Sequence, residues 1–190
     1  YEGTGRMYLH ILKVGKEAIH DFFKVVLKPE NLPIVFHCVS KFYIRLKLKI
    51  KRTTSFLTHI IIIDTIRSQA TGKDRTGIIS MLAGLLTNSY EEDIVADFHE
   101  SKAFTEKEFP PTMSDEDIMA RVTKHAPAGS KSGMKSFSVS TIRYSFLANR
   151  ESMAATIRLF KETFKTVDNY LIDFLGFTTT EVGQLRQILS

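Results

Sequence analysis

Leu32-Pro33-Ile34-Val35-Phe36-His37-Cys38 and Ala70-Thr71-Gly72-Lys73-Asp74-Arg75-Thr76-Gly77 are the two stretches on which the reading of this chain turns. The first is a short apolar run of the kind that forms a buried strand, and it closes on a cysteine. The second opens a helical pattern, with apolar residues at Ile78, Ile79, Leu82, Leu85 and Leu86 predicting a helix from Arg75 to about Leu86. A strand, a glycine-containing loop and a helix N-terminus together make an anion site, because backbone N–H groups converge there and the helix dipole adds positive potential. Joined at Cys38 and Ala70, the two stretches read HC-ATGKDR-TG, with five residues between the cysteine and Arg75. At that spacing one tight loop brings a thiolate and a guanidinium to the same anion.

The residues between them, 39–69, are unlike the rest of the chain. They contain no Gly, Pro, Ala or Glu and are rich in Ile, Lys, Leu, Phe, Ser and Thr. Ile44 to Lys51 alternates apolar and basic residues, which predicts an exposed strand. The segment holds four Lys and three Arg against one Asp, so the 26 basic and 21 acidic residues of the chain become 19 and 20 without it. The basic character therefore belongs to the segment alone. The remainder is near neutral and shows no basic face for a nucleic acid.

Three readings of the segment stand. It is a translated intron; it is an insertion looping out of the anion site; or it marks a divergent, inactive chain that binds an anion or partners only. The first has several supports. Removing its 31 residues keeps the frame and restores the five-residue spacing. Val39-Ser40 can be encoded by GTAAGT, Gln69 by CAG, and Leu57-Thr58 by a sequence containing CTAAC. These match a splice donor, an acceptor end and a branch point.

With 190 residues, 43% hydrophobic and 25% charged, the chain fits one globular domain, 1–190, with a substantial core. A single cysteine excludes an intrachain disulfide framework and suits a reducing, cytoplasmic setting. The chain begins at Tyr1, which suggests a C-terminal fragment, and it shows no secretory signal. The apolar run around Ile60 to Ile63 is too short to span a bilayer. The six histidines lack ligand spacing, so no metal or organic cofactor is expected.

Elsewhere the pattern predicts mostly helices. Arg6 to Leu27 reads as one helix with Leu9, Leu12, Ile19, Phe23 and Val26 inward, punctuated by Pro29 and Pro33. After a break at Asn88-Ser89, Ser89 and Glu92 have capping-box spacing ahead of a helix carrying Ile94, Val95, Ala96 and Phe98. Pro110-Pro111 is a linker, and Ser114-Asp115-Glu116-Asp117 opens a further helix with acidic residues in its first turn. Residues 126–140 read as a long loop. Glu151 to Lys165 is an amphipathic helix with Met153, Ile157, Phe160 and Phe164 inward. Val167 to Leu175 and Thr178 to Leu189 follow, with Gly176 at a helix C-terminus and Thr178/Glu181 as a second capping box.

With Cys38 in the loop, each residue acquires a chemical role. The anion site's field lowers the thiol pKa and gives a nucleophile near neutral pH. Arg75 clamps two oxygens in a bidentate fork. The run Ala70, Thr71, Gly72 and Lys73 supplies the cradle, Gly72 admits close backbone approach, and Gly77 permits tight helix packing. Thr76 donates to the sulfur and His37 orients the loop from behind. Taken singly, Cys38 reads first as a buried inert thiol, and GKDRTG is as readily a polar helix start as an anion loop. The order of a Walker-type nucleotide loop is absent.

HC…GKDRTG closely resembles the active-site loop of the atypical tyrosine phosphatases of bacteria and fungi, including secreted bacterial enzymes with dual protein and phosphoinositide activity. The resemblance extends to Asp93-Ile94-Val95-Ala96-Asp97-Phe98, Glu151-Ser152-Met153, Val167-Asp168-Asn169-Tyr170-Leu171 and Leu175-Gly176-Phe177. The family's N-terminal part, with its first strands, has no counterpart. The resemblance implies an α/β cysteine-dependent phosphatase-like fold, mostly helical in this chain, with the N-terminal part of the sheet missing. It also implies hydrolysis of phosphomonoesters through a phosphocysteine. Cys38 is then the nucleophile, Arg75 the transition-state clamp and Asp74 the candidate general acid; the alternative for Asp74 is a structural carboxylate bonding loop amides. Lys73 is either added charge at the loop mouth, favouring phosphoinositides, or a solvated lysine. The expected substrate is a phosphotyrosine protein, with a phosphoinositide as the alternative.

Overall fold

The computed structural model describes residues 1–37, 59–62, 73–125 and 138–190. The helix expected over Arg6 to Leu27 is two helices, α1 (Glu2–Val14) and α2 (Lys16–Val26), divided at Gly15. Glycine is a poor helix former, and this one sits where a Cβ would lie 2.8 Å from the Ile11 carbonyl oxygen. Leu12, Ile19, Phe23 and Val26 are buried as the periodicity predicts, joined by Tyr8 and Phe22. Leu9 is half-buried.

A 3₁₀ turn at Pro29–Asn31 leads into strand β1 (Ile34–His37), which lies against the later helix α3 (Lys73–Leu86). Strand β2 (His59–Ile62) pairs with β1 in parallel, in the register Ile34↔His59 to His37↔Ile62. One strand therefore comes from within 39–69. The exposed strand expected over Ile44 to Lys51 lies outside the described residues.

Helix α3 is the centre of the core. Ile78, Ile79, Met81, Leu82 and Leu86 are all buried on it, more than one face can carry. Its end explains why the Ser89–Glu92 capping box does not form. Asn88 adopts a left-handed conformation (φ 58°), the Ser89 N–H donates to Gly84 O (2.9 Å) and the Asn88 N–H to Leu85 O (3.3 Å). This is a Schellman termination, and it commits Ser89 to the end of α3. Helix α4 (Glu91–Glu100) begins two residues later, with Tyr90 as its N-cap and no side-chain cap. Helices α3 and α4 meet through two glycines seven residues apart. Gly77 faces the Phe98 ring and Gly84 faces Ile94, and a Cβ on either would come within 2.9 Å of those side chains.

Helices α5 (Lys102–Glu108), α6 (Asp115–His125) and α7 (Val139–Phe146) follow. The Ser114 hydroxyl caps α6 by accepting from the Asp117 N–H (3.1 Å). The loop expected over 126–140 ends earlier than predicted, because the Ser138 hydroxyl accepts from the Thr141 N–H (3.2 Å) and starts α7. Its earlier part lies outside the described residues. Phe109, Ile118 and Ile142 form a second, smaller core. Arg143 ties α7 to the Pro110-Pro111 linker by donating to the carbonyls of Pro110 (3.2 Å) and Met113 (2.6 Å).

Helix α8 (Arg150–Phe164) runs along α1, where Gly5 admits Ala155 at 3.1 Å from the position of an added Cβ. The helix expected over Val167 to Leu175 is instead a single α-turn, α9 (Val167–Asn169), that widens into a π-helical turn over Tyr170–Phe174. The wider turn stacks Phe174 on Tyr170 (5.5 Å, 21°) while Tyr170 also packs on Phe160 and Phe164. The buried Tyr170 hydroxyl donates to Leu12 O (2.9 Å), which joins this turn to α1. Gly176 takes φ 87° and ends the turn, as its sequence position predicts. Helix α10 (Thr179–Leu189) carries the expected capping box between Thr178 and Glu181. Among the described residues, no helix is long and apolar enough to cross a membrane.

Two glycines give opposite expectations. Gly77→Ala gains about 1 kcal/mol of helix propensity but drives a methyl into a buried ring, at about 1–3 kcal/mol or more. Urea unfolding should show a net loss of about 1–2 kcal/mol. Gly183, inside α10, has nothing within 4 Å of an added Cβ, and Gly183→Ala should gain about 0.5–1 kcal/mol. Glu181 also binds the Lys24 ammonium (2.5 Å). That cation, and then the Thr178 backbone N–H, lower its carboxyl from 4.5 to about 2. A depressed carboxyl stabilises the fold fully above its unfolded pKa, and the contribution is lost as the pH falls through the folded value. Glu181→Gln keeps the cap and removes the charge. The Tm gap between wild type and this variant should hold above pH 4.5 and close as the pH falls to about 2.

Candidate active site

The first turn of α3 buries three consecutive charged residues. Lys73, Asp74 and Arg75 are each less than a tenth exposed. Moving ions out of water costs several kcal/mol apiece unless partners are supplied. For the first two, the partners are each other and a tyrosine from α1. The Lys73 ammonium donates to Asp74 Oδ1 (2.5 Å) and to the Tyr8 hydroxyl oxygen (3.2 Å). The Tyr8 hydroxyl donates to the same Asp74 Oδ1 (2.5 Å). The ammonium also lies over the rings of Tyr8 (5.8 Å) and Phe98 (5.9 Å), a favourable position for a desolvated cation. The two rings meet edge-on, with centroids 6.1 Å apart.

This geometry corrects one expectation. Lys73 is not a solvated lysine: its ammonium is engaged by Asp74 and Tyr8 inside the protein. Asp74, proposed from sequence as proton donor or structural carboxylate, has Oδ1 hydrogen-bonded to both neighbours. Thr76 is half-buried, and Gly77 sits one turn further on, against Phe98. His37 closes β1, but its side chain lies outside the described residues, as do Cys38, Ala70, Thr71 and Gly72 entirely.

Sequence reasoning missed Tyr8 and the contact of Phe98 with Lys73. A signal for Tyr8 was present: it falls four residues before Leu12 on the inward stripe of α1, and a buried tyrosine hydroxyl needs a polar partner. The partner, 66 residues away, had no local signature.

The ion pair gives a stability prediction. Lys73→Met leaves the Asp74 carboxylate buried without its cation and should cost about 3 kcal/mol in urea unfolding. Adding Asp74→Leu should recover most of that loss, because apolar replacement of a whole buried pair is often near neutral.

A profile of the tyrosine phosphatase family matches residues 56–190. The match takes in Ala70 to Gly77, begins inside the 39–69 segment and starts after Cys38. No curated protein and no solved structure matches the chain. The profile covers well over half of the sequence and carries with it a phosphatase-type activity on phosphorylated substrates: the chain belongs to the tyrosine phosphatase family.

Proposed function

We propose that this chain is a cysteine-dependent phosphatase of the atypical bacterial and fungal kind. Its α/β site is formed by β1 delivering Cys38 and the N-terminus of α3 closing the anion cradle with Ala70, Thr71, Gly72 and Lys73. The observation that carries this reading is the burial of Lys73-Asp74-Arg75 in the first turn of α3, within the family match. The packing of β1 against α3 supports it. Burying three charges in a row is costly, and an anion site at a helix N-terminus gives them a use.

In the proposed reaction the Cys38 thiolate attacks phosphorus. The S–P bond forms as the ester P–O bond breaks, and Asp74, carrying a proton on Oδ2 in the reactive form while Oδ1 accepts from Lys73 and Tyr8, gives that proton to the departing oxygen. Arg75 holds two equatorial oxygens in the transition state. Thr76 and His37 support the sulfur and the loop. Water then cleaves the S–P bond, releasing inorganic phosphate, regenerating the thiolate and returning a proton to Asp74. No metal or organic cofactor takes part. A phosphotyrosine protein is the favoured substrate over a phosphoinositide, because the Lys73 ammonium is engaged with Asp74 and Tyr8.

A second reading, a phosphate-binding relative without turnover, stands because 36 residues, including 39–69, separate the nucleophile Cys38 from the clamp Arg75. We read the segment as translated intron sequence on its restored spacing and codon matches, although the family match from residue 56 and the pairing of β2 with β1 count against this for its second half. Proximity of the reacting groups supplies much of a rate, so removing 39–69 should raise kcat/KM on an aryl phosphate by about tenfold or more. Equal activity with and without it sinks the intron reading. Cys38→Ser should abolish turnover, and Arg75→Lys should lower it roughly 10²- to 10³-fold. Turnover that survives Cys38→Ser excludes this mechanism, and tight phosphate binding without turnover in either form favours the non-catalytic relative.

A further inference from the structure

We propose that Tyr8 is a positioning residue for the Asp74 carboxyl group, holding Oδ1 through its hydroxyl so that Oδ2 is the oxygen presented with the transferable proton. The proposal rests on the reading of Asp74 as proton donor. A carboxylate oxygen has two lone pairs, and Oδ1 accepts from two donors, the Tyr8 hydroxyl and the Lys73 ammonium, both at 2.5 Å. Oδ1 is thereby saturated, which leaves protonation to Oδ2.

The hydroxyl adds something the ammonium cannot. Lys73 is the neighbour of Asp74 in sequence, and its long side chain follows the same helix turn. Tyr8 comes from α1, 66 residues earlier. It is fully buried, and its ring is packed edge-on against Phe98 of α4. Its hydroxyl therefore fixes the carboxyl plane from an independent element with few accessible rotamers. The Lys73–Tyr8 bond closes the three groups into a ring. A general acid must lie within hydrogen-bond reach of the atom it protonates, and small misplacements are expensive in rate.

The test separates a misplaced acid from a merely weakened fold by changing the leaving group. Protonation matters greatly for phenyl phosphate, whose leaving group is a poor one, and little for 4-nitrophenyl phosphate. Tyr8→Phe, which keeps the packed ring, should lower kcat on phenyl phosphate about tenfold and on 4-nitrophenyl phosphate by about twofold or less. Asp74→Asn, measured on the same pair, should show a larger bias in the same direction. If Asp74→Asn affects both substrates equally, Asp74 is not the acid, and Tyr8 has nothing to position. If Asp74→Asn is biased and Tyr8→Phe is not, the Tyr8 proposal alone is overturned. An unfolded Tyr8→Phe chain also overturns it, by showing the hydroxyl to be structural.

Discussion

The hydrogen-bonded ring of Tyr8, Lys73 and Asp74 is the constraint on which the rest of this structure depends. An ammonium and a carboxylate are buried side by side at the start of the central helix, where each alone would cost several kcal/mol. They are tolerable because a tyrosine from α1 satisfies both and two aromatic rings face the cation. The consequence is architectural. Helix α1 must lie where Tyr8 reaches α3, and α4 must lie where Phe98 reaches Lys73. Gly77 makes the second approach possible, since any Cβ there would strike the Phe98 ring.

From that constraint the remaining packing follows as a series of close approaches. Gly84 repeats the role of Gly77 one heptad later, and Gly5 lets α8 run along α1. Tyr170 reaches across to the Leu12 carbonyl, so the π-helical turn near the C-terminus bears on the helix that carries Tyr8. Arg186 of α10 donates to the Leu86 carbonyl (2.8 Å) at the other end of α3. The helix whose first turn carries the candidate chemistry is thus held at both ends by residues distant in sequence.

Much of this was legible in the sequence where the determinants are local. The apolar spacing from Ile78 to Leu86 located α3, Met153-Ile157-Phe160 located the buried face of α8, and Thr178/Glu181 located the start of α10. Reading failed where one residue serves competing ends. Ser89 has the spacing of an N-cap but is used in the termination of α3, because Asn88 tolerates the left-handed turn. Gly15 interrupts a stripe whose periodicity runs on either side of it. Val167 to Phe174 has helical periodicity, but aromatic stacking favours the wider turn. At the candidate site, the Lys-Asp-Arg run pointed to charge chemistry, whereas its burial and the part played by Tyr8 depend on a contact between distant helices, which no local pattern encodes.

The central claim is that a thiolate at Cys38 attacks phosphorus in the cradle that Arg75 completes. Trapping the covalent intermediate tests it most directly. The chain is mixed with a radiolabelled aryl phosphate, quenched in acid and cut into peptides. The account predicts label on the peptide bearing Cys38, on sulfur, and none in Cys38→Ser. Turnover without label on that peptide, or label elsewhere that persists in Cys38→Ser, would contradict it.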